Sequence, residues 1–461
     1  MNEEIVREMC EGIVREVVDR VGPAAMVARA WPRVEEMLSD TSGCGIDVVG
    51  IGKASAGLAE AVLEMLEVGV GCQVGVQGGG RIARGIVLTP SARGLRRDGR
   101  ARIEVVEVDH PSPTERNASA TARVERFVRE GASRGKGRTL LVLVSGGGSA
   151  HLVSPADGLS VGDVAAVSMR MMRAGGTIDE LNSVRKHVER LKGGGLARLA
   201  SGYSRVVSLV VSDVMGDDLS VIASGPLAPD PTTYTDALEA MRERGVSRED
   251  APAVWAHLER GVRGEIAETA KPGEPCFDRV RQRIIGSNAD AMRAAEEAIM
   301  GRGVRVLSVR GGVVGEAADR GQEMVVEMAR GAASDGAMGV VWGGETTVTV
   351  GDRSGVGGRN QEFVLAAARA MAGRADALVL AFGTDGIDGV TDAAGAWATG
   401  ETWERIRVAG VDAEVALREH DSHRALGASG SLIRTGPTGT NVNDVMVAIM
   451  GGMALPEGGV R

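Results

Sequence analysis

The stretch LLVLVSGGGS, from Leu140 to Ser149, decides the fold class of this chain. A run of five leucine and valine residues is long enough for a strand buried on both faces of a parallel sheet. The three glycines that follow cannot be there to stabilise a strand, because each loses extra conformational entropy on folding. They do let backbone N–H groups approach an anion at the carboxyl end of a strand, where open α/β sheets bind ligands. A tight strand-to-helix turn without a ligand is the alternative.

The same pattern, a short apolar run followed by a polar and glycine-rich loop, recurs along the chain. One such loop is weak evidence for a binding site. Several of them, each ending a predicted strand, indicate strand ends that converge on one polar cleft. The segments are DVVGIGK (47–53), SLVVSDVMGDD (208–218), RIIGSNAD (283–290) and ALVLAFGTDGIDG (377–389).

Composition indicates a globular protein. A chain of 461 residues with 43% hydrophobic and 25% charged residues predicts two domains, or three. Aromatic residues make up only 2% of the chain, so the core must be aliphatic. The net charge of −9 argues against nucleic acid as a partner.

The cysteines and the amino terminus predict a cytoplasmic location. Four cysteines without C-x-x-C spacing argue against a zinc site or a disulfide framework. The first residues are charged and amphipathic and lack the apolar core of a signal peptide. No apolar run is long enough to span a bilayer, so we expect no membrane partner.

Lysine is rare in this chain, which has five lysines among its 53 basic residues. Because arginine is used almost everywhere, a lysine at a predicted strand end stands out. Lys53 has that position, and its compact ammonium group is a good point-charge partner for phosphate. We therefore expect a function for Lys53, whereas Lys136 and Lys271 are expected to be ordinary surface residues.

The order of strand and helix signals predicts two α/β domains. Residues 1–235 alternate the two patterns, which favours a mostly parallel sheet. Residues 236–280 are rich in Glu, Arg and Ala with three prolines, and they mark the domain transition. The second unit, residues 236–461, is expected to begin its strands with RIIGSN. Its TTVTV segment (346–350) alternates polar and β-branched residues and predicts a half-exposed, mixed sheet.

One predicted helix carries two further candidates. Thr177 and Glu180 have the spacing of a capping box that opens a helix. Asn182 and Lys186 lie four residues apart on one face of this helix, from which they could point into a cleft. A solvated helix face explains this spacing equally well.

The polar residues at the predicted strand ends combine cations, carboxylates and backbone amides. This combination suits phosphoryl transfer, because cations offset the phosphoryl charge, carboxylates bind Mg²⁺ or accept a proton, and amides hold oxygens. The side chains concerned are Lys53, Asp213, Asp217, Glu345, Arg359, Asn360, Asp385, Asp388, Asn441, Asn443 and Asp444.

Other familiar sites find less support. A Walker A loop would need Gly and Ser or Thr where the chain has Asp47 and Ala54, and a dinucleotide fingerprint would need Gly in place of Ser55. None of the six histidines stands in a Ser-His-Asp order. His420 and His423 have a spacing that occurs in metal clusters, but such a pair is more often part of a polar loop.

Nine segments together resemble the glycerate 2-kinase family, whose carboxyl-terminal half carries the MOFRL domain. Each segment alone is weak, but they span nearly the whole chain in one order. They are GIGKASAGLA (50–59), VDHPSP (108–113), LVSGGGSA (143–150), LNSVRKHVERLKGG (181–194), SDVMGDDLSVIASGP (212–226), GGETTVTV (343–350), GGRNQE (357–362), FGTDGIDG (382–389) and TGPTGTNVND (435–444). His423 departs from the aromatic residue expected at its position.

The resemblance implies ATP-dependent phosphorylation of D-glycerate, at O2, with Mg²⁺. It implies a Rossmann-like, three-layer αβα domain over residues 1–235 and a mixed-sheet α/β domain of the MOFRL type over 236–461, with a core at about 335–450. The active site is expected in the cleft between them. D-glycerate and ATP are the expected partners, and a homodimer is left open.

The resemblance also implies roles for individual residues. Lys53 and Arg359 match basic active-site positions, and Asp213 matches an acidic one, as a hydroxyl base or a metal ligand. Asp385 is the second candidate metal ligand. The expected substrate- and nucleotide-binding residues are Ser145, Gly146, Gly147, Gly148, Ser149, Lys186, Asn288, Glu345, Asn360, Asp385, Asp388 and Asn441.

Two other functions stay open on sequence alone. A hydroxypyruvate reductase would share the small hydroxy-acid substrate, although the missing dinucleotide fingerprint argues against it. A non-catalytic protein that binds sugar acids is the second alternative. The clustered aspartates argue mildly against it, because carboxylates hinder the binding of anions.

Overall fold

The computed structural model describes residues 3–38, 45–68, 82–90, 103–134, 137–331, 336–351 and 355–451. The chain forms two compact units. One unit comprises Met26–Ile285, and the other joins Met1–Ala25 to Gly286–Arg461. Lys136 and two of the four cysteines, Cys44 and Cys72, lie outside the described residues.

Twelve strands are found among the described residues. They are β1 (Ile46–Ile51), β2 (Ile82–Thr89), β3 (Ile103–Glu107), β4 (Thr139–Val144), β5 (Arg205–Val211), β6 (Val280–Gly286), β7 (Arg305–Val313), β8 (Met338–Gly344), β9 (Ala377–Gly383), β10 (Gly395–Thr399), β11 (Leu432–Ile433) and β12 (Asp444–Met450).

The described residues also contain sixteen α-helices. They are α1 (Glu3–Arg20), α2 (Pro23–Leu38), α3 (Ser55–Val68), α4 (Glu115–Ser133), α5 (Gly148–His151), α6 (Val161–Arg173), α7 (Ile178–His187), α8 (Gly195–Leu199), α9 (Tyr234–Glu243), α10 (Pro252–Val262), α11 (Asn288–Met300), α12 (Ala317–Gly331), α13 (Arg359–Ala370), α14 (Thr402–Val408), α15 (Ala413–Arg418) and α16 (Ser422–Ala428). Short 3₁₀ helices occupy Ile222–Ser224 and Pro275–Phe277.

The first unit is built on a six-stranded sheet in the order β3-β2-β1-β4-β5-β6. β1 pairs in parallel with β2 and β4, and so do β2 with β3 and β4 with β5. All six residues of β1 and of β4 are buried, as expected for central strands covered on both faces. The α/β fold with a Rossmann-like, mostly parallel sheet is therefore confirmed.

The second unit contains a mixed sheet in the order β11-β10-β9-β12-β8-β7. β7 pairs in parallel with β8, whereas β12 runs antiparallel to both β8 and β9. The core against this sheet is mainly aliphatic, and its large side chains include Trp342 and Phe363. The predicted mixed sheet is confirmed.

The structure places two predicted strands differently. RIIGSN is expected to open the second sheet, but its first four residues form the end of β6 beside β5 in the first sheet, and its Asn288 begins α11. The two units divide between residues 285 and 286. TTVTV forms no strand. β8 stops at Gly344, and Thr347 instead makes an isolated bridge to Glu316 because its amide donates to Gly315.

The helix α7 begins as predicted. The Thr177 hydroxyl accepts from the Glu180 amide at 3.3 Å, and the Glu180 carboxylate accepts from the Thr177 amide at 2.6 Å. Among the described residues, no helix combines the length and the apolar character that a membrane crossing needs.

Candidate active site

The loops after β1 and β4 meet at the carboxyl edge of the first sheet. The Lys53 amide donates to the Gly146 carbonyl at 2.9 Å, and the Ala54 amide donates to the Ser145 hydroxyl at 2.9 Å. β1 and β4 are the neighbours at which the strand order reverses. Open α/β sheets bind their ligands at such a switch point, in the crevice outside the carboxyl ends of the strands. The structure therefore brings Lys53 and the Ser145–Ser149 loop together.

The glycines of this loop are required by close neighbours. Gly147 has a φ of +79°, and a Cβ atom placed there would lie 3.0 Å from the His110 ring. A Cβ atom on Gly148 would lie 2.8 Å from that of Ala223. Within the described part of the chain, the amides of Gly146, Gly147 and Ser149 donate to no protein acceptor. Three such N–H groups beside a lysine can hold an anionic oxygen.

A buried histidine contacts the backbone of the loop that carries Lys53. His151 Nδ1 accepts a hydrogen bond of 3.1 Å from the Gly52 amide. Burial, together with nearby His110 and Lys53, lowers the pKa of His151 to about 4. His151 is therefore neutral at physiological pH and can act as the acceptor that Gly52 needs. Its position two residues after the SGGGS motif was the sequence signal for this role.

The outer end of the glycine loop is fixed by strained backbone. Ala223 and Ser224 have φ angles of +52° and +60°, which non-glycine residues adopt at a cost of about 1–3 kcal/mol each. The Ser224 hydroxyl lies 2.9 Å from that of Ser149 and donates to Asn182 at 2.8 Å. Asn182 therefore contacts the glycine loop through Ser224. Its side chain is buried, so it does not belong to a solvated helix face.

Lys186 and Asp213 occupy different surroundings. The Lys186 ammonium lies 3.3 Å from Asp230, and both side chains are buried. Burial alone would raise the pKa of Asp230, but Lys186 and the Thr232 hydroxyl outweigh it and hold the pKa below its usual value. Asp213 is half-buried and lies two residues beyond the end of β5, which pairs with β4. Asp213 therefore lies at the same sheet edge as Lys53, whereas the ion partner of Lys186 is Asp230.

The second unit carries its own polar cluster around Arg359. The guanidinium donates through Nε and Nη2 to both carboxylate oxygens of Asp444, at 2.9 Å for Nη2, and its Nη1 forms an ion pair with Glu345 at 2.9 Å. Asp444 begins β12 and is fully buried, whereas Arg359 begins α13 and is 34% exposed. The bidentate contact fixes the plane of the guanidinium and leaves part of it exposed.

The charges of this pair depend on each other. Burial raises the pKa of Asp444 to about 6, and Arg359 keeps it from rising further. The carboxylate of Asp444, in turn, raises the pKa of Arg359 against the opposing effect of burial. At neutral pH the pair is therefore ionised, and removal of Arg359 would leave the buried carboxylate of Asp444 without its cation.

Asp388 and Asn360 organise the start of α13. The Asp388 carboxylate accepts from the Asn360 amide at 3.1 Å and from the Gln361 amide at 2.9 Å. This is the arrangement of a helix N-cap supplied from another loop, and it satisfies amides that would otherwise have no partner. Asp388 is 1% exposed. The structure therefore gives Asp388 a structural contact, which orients the helix that carries Arg359.

The remaining predicted residues border this cluster. A Cβ atom on Gly383 would lie 3.3 Å from a carboxylate oxygen of Asp385 and equally far from one of Asp444, so these carboxylates are close neighbours. The Asn441 side chain accepts from the Asn443 amide at 3.2 Å. Asn288 donates to the backbone carbonyls of Val442 and Asp444 at 2.8 and 3.0 Å, so it anchors the start of β12.

Among the described residues, no three His, Cys, Asp or Glu side chains form a metal-binding group. His420 Nδ1 instead lies 3.1 Å from Glu362, and His423 Nδ1 lies 2.9 Å from Gln361. Mg²⁺ needs less from a protein, since one or two carboxylates and substrate phosphates suffice. The half-buried carboxylates of Asp213 and Asp385 have the hard oxygen donors that suit this ion.

Comparison with known proteins places the chain in a family. Residues 9–259 match a family described as a domain of unknown function, DUF4147, and residues 338–444 match the MOFRL family. The glycerate 2-kinase of Pyrococcus horikoshii is 38% identical over 76% of this chain and 78% of its own. The chain belongs to the glycerate 2-kinase family.

Other members of the glycerate 2-kinase family extend this relationship along the chain. The crystal structure of the glycerate kinase from Thermotoga maritima superposes with a TM-score of 0.82 at 31% identity and covers 97% of this chain and 100% of that one. A protein of Agrobacterium vitis, provisionally named a hydroxypyruvate reductase, is 36% identical over 95% of this chain and 94% of its own. Both names therefore occur among the relatives.

Some residues of the two clusters are not among those expected from the sequence. His151 and Ser224 are two such residues: Ser224 lies in a segment that resembles the glycerate 2-kinase family, and His151 directly follows another, LVSGGGSA (143–150). Asp444 was noted only as a polar strand end, whereas the structure makes it the main partner of Arg359. Its position at the start of a fully buried strand was a sequence signal, because a buried carboxylate needs a cation.

Proposed function

We propose that this protein catalyses the ATP-dependent phosphorylation of D-glycerate at O2, which gives 2-phosphoglycerate and ADP. One observation carries the proposal: Lys53 and the unpaired amides of the Ser145–Ser149 loop meet at the switch point of the first sheet. That site suits an anionic substrate, and relatives that span most of the chain are named glycerate kinases.

In the proposed mechanism, the glycine loop and Lys53 bind negative charge. The amides of Gly146, Gly147 and Ser149 hold an anionic group of one substrate. The Lys53 ammonium offsets charge on the phosphoryl group as it moves. Asp213, at the same sheet edge, is the candidate acceptor for the proton of the attacking hydroxyl.

Arg359 is proposed to contact substrate from the second unit. Asp444 and Glu345 orient its guanidinium, and the exposed part can bind a carboxylate or a phosphate. Asp385 and Asp213 are the proposed protein ligands of Mg²⁺, which would neutralise phosphate charge on ATP. We further propose that Lys186, Asn360 and Asn441 contribute to substrate binding.

A coupled assay tests the proposed function. Purified protein, ATP, Mg²⁺ and D-glycerate are combined with enolase but without a phosphoglycerate mutase, so that only 2-phosphoglycerate yields signal. We expect turnover. Signal that appears only after a mutase is added would identify 3-phosphoglycerate instead. Oxidation of NADH with hydroxypyruvate and no kinase turnover would favour the reductase, and glycerate binding without turnover of either kind would favour a binding protein.

Gly147→Ala is expected to abolish most of the kinase activity. The left-handed φ alone costs about 1–2 kcal/mol for alanine, and the new methyl group would also push against His110 and displace the loop. Gly245→Ala is the matched control, since Gly245 has a φ of +67° and its Cβ would meet nothing within 4 Å. Thermal unfolding and kcat/KM are measured for both. Equal activity in the two variants would contradict a binding role for the loop.

The kinase activity should fall on the acid side with a midpoint near pH 6. Burial raises the pKa of Asp444 to about 6, so the carboxylate becomes protonated as the pH falls through that value. A neutral Asp444 no longer holds Arg359 by two charged contacts. The pH profile of kcat/KM is compared with that of Asp444→Asn, which should be less active and lack this limb. An unchanged limb in the variant would contradict the assignment.

A further inference from the structure

Lys192 is a buried lysine of the first unit that contacts the glycine loop. Only five of the 53 basic residues of this chain are lysines, and Lys192 is 3% exposed. Its ammonium donates to the Ser149 carbonyl at 2.8 Å and forms an ion pair with Glu189, which is buried as well. Burial of a charged group costs free energy even when the group is paired, so the contact of Lys192 with the loop calls for an explanation.

The Ser149 carbonyl lacks its usual backbone donor. Ser149 lies in α5, a helix of four residues, and the amide of Val153 would be the normal partner of its carbonyl in a longer helix. The Val153 amide instead donates to the Thr121 hydroxyl at 2.9 Å. Lys192 therefore supplies the hydrogen bond that the early end of α5 leaves open, as lysines do near the carboxyl ends of helices.

The ion pair also holds the segment that follows the loop. One carboxylate oxygen of Glu189 contacts Lys192, and the other accepts from the Ser154 amide at 3.2 Å. The Ser154 carbonyl, in turn, accepts from the Arg190 amide at 2.8 Å. Lys192 and Glu189 therefore contact both ends of residues 149–154.

The backbone next to Lys192 is fixed against the strained segment that also borders the loop. The Gly193 amide donates to the Ser224 carbonyl at 3.0 Å, and the Gly194 amide donates to the Gly225 carbonyl at 2.8 Å. The Ser224 hydroxyl contacts that of Ser149. The Lys192 side chain therefore extends from a fixed position to the same residue of the loop that Ser224 contacts.

Each carbonyl of the glycine loop accepts a hydrogen bond from the protein. For the first four carbonyls the donors are backbone amides, which in loop order are those of Gly148, Lys53, Ala150 and Leu152. The fifth carbonyl, that of Ser149, accepts from the Lys192 side chain. A carbonyl that turned towards the ligand would repel an anion. The bond from Lys192 therefore matters for a site in which amides are the binding groups.

We propose that Lys192 is a positioning residue of the active site, which fixes the Ser149 peptide and thereby the direction of the loop amides. This inference rests on the proposed function, in which these amides bind an anionic group of one substrate. A compact ammonium can donate to Ser149 and to Glu189 in different directions, whereas a guanidinium is larger and its donors form a planar fork. This difference explains a lysine at position 192 in a chain that otherwise uses arginine.

Lys192→Met with Glu189→Gln separates positioning from stability. The double variant removes both buried charges, and glutamine keeps an acceptor for the Ser154 amide. Lys192→Met alone leaves the Glu189 carboxylate buried without its cation, so it should unfold at a lower temperature than the double variant. We expect the double variant to recover thermal stability but to keep a loss of about 10²-fold in kcat/KM, which a displacement of about 1 Å can cause.

The two Michaelis constants show how this activity is lost. The KM should rise for only one of ATP and D-glycerate, because the loop holds an anionic group of one substrate. A smaller fraction of folded protein would instead lower kcat and leave both KM values unchanged. Recovery of kcat/KM together with stability in the double variant, or unchanged KM values, would show that Lys192 serves only the fold and would overturn the proposal.

Arg198→Gln with Glu274→Gln is the matched control. It removes an ion pair of 2.6 Å from the same unit, and Arg198 donates to the carbonyls of Glu268 and Thr269 rather than to the glycine loop. It should keep kcat/KM within about twofold, since this pair is partly exposed. An equal loss in the control would contradict a specific role for Lys192.

Amide hydrogen exchange gives a readout that needs neither ATP nor glycerate. We expect faster exchange in residues 145–152 of the Lys192 and Glu189 double variant than in the wild type or the control, because the loop has lost its fifth carbonyl contact. Unchanged exchange in this segment would overturn the proposal. Absence of kinase turnover in the wild type would instead refute the proposed function, and the exchange comparison would still test whether Lys192 holds the loop.

Discussion

Arg359→Ala should reduce kcat/KM for glycerate phosphorylation by about 10²–10³-fold, the loss that follows removal of one charge-stabilising donor. It should also lower the free energy of unfolding. Asp444 is fully buried, and without Arg359 its carboxylate keeps no comparable partner. The expected destabilisation is about 3 kcal/mol, the lower end for a broken buried pair, because Arg359 itself is partly exposed. Steady-state kinetics and chemical denaturation measure the two effects.

Two further variants separate catalysis from stability. Arg369 lies on the same helix and forms an exposed ion pair with Glu414. Arg369→Ala should therefore leave both kcat/KM and the free energy of unfolding nearly unchanged. Arg359→Ala with Asp444→Asn removes the buried charge and should recover stability without recovering activity. Recovery of activity in that double variant would show that Arg359 acts only by pairing with Asp444, and would contradict a contact with substrate.

Lys53→Ala should reduce kcat by about 10²–10³-fold with little change in stability. The lysine backbone is held by Gly146, so truncation of the side chain leaves the loop contact in place and removes mainly the ammonium. Lys53→Arg keeps the charge but not its compact shape, and it should recover only part of the activity. Turnover with ATP and D-glycerate is measured for both variants.

Lys271→Ala is the control for Lys53. Lys271 is a lysine of the same unit that lies 2.7 Å from Thr269 and does not border the glycine loop. It should keep full turnover. Full turnover in a correctly folded Lys53→Ala protein would remove Lys53 from the mechanism.

Much of the fold could be predicted from the sequence, because its central strands are apolar on both faces. LLVLV and ALVLAFG can be recognised as buried strands without knowing which strands pair with them, and they form β4 and β9. The place of RIIGSN could not be predicted in the same way. It is apolar enough for either sheet, and only its pairing with β5 assigns it to the first. TTVTV has the alternation of a strand, but the amide of its Thr347 donates to the Gly315 carbonyl in the loop before α12, and the segment stays outside the sheet.

The parts of the site that depend on local backbone geometry could be predicted from the sequence. The parts that depend on side-chain partners from distant segments were harder to predict. Consecutive glycines and Lys53 are local signals, so their meeting at the switch point follows from the fold. Asp388 was expected to bind substrate because it is a carboxylate at a strand end, but its contact with the start of α13 depends on a loop far away in the chain. The partner of Lys186 is likewise Asp230, from a distant segment.

The order of the second sheet has a consequence for the nascent chain. Residues 26–285 form one continuous segment and can fold while the ribosome is still translating the rest. The second sheet cannot fold in this way. Its strand β12 pairs between β8 and β9 but is synthesised after both, so the edges of β8 and β9 that face β12 stay unpaired until then. α1 is made first, but it packs on α11, and its Glu16 forms an ion pair with Arg302 just beyond that helix, so it has no partner until this region has been made. Truncation before Asp444 would therefore leave two apolar strand edges open to aggregation while the first unit still folds.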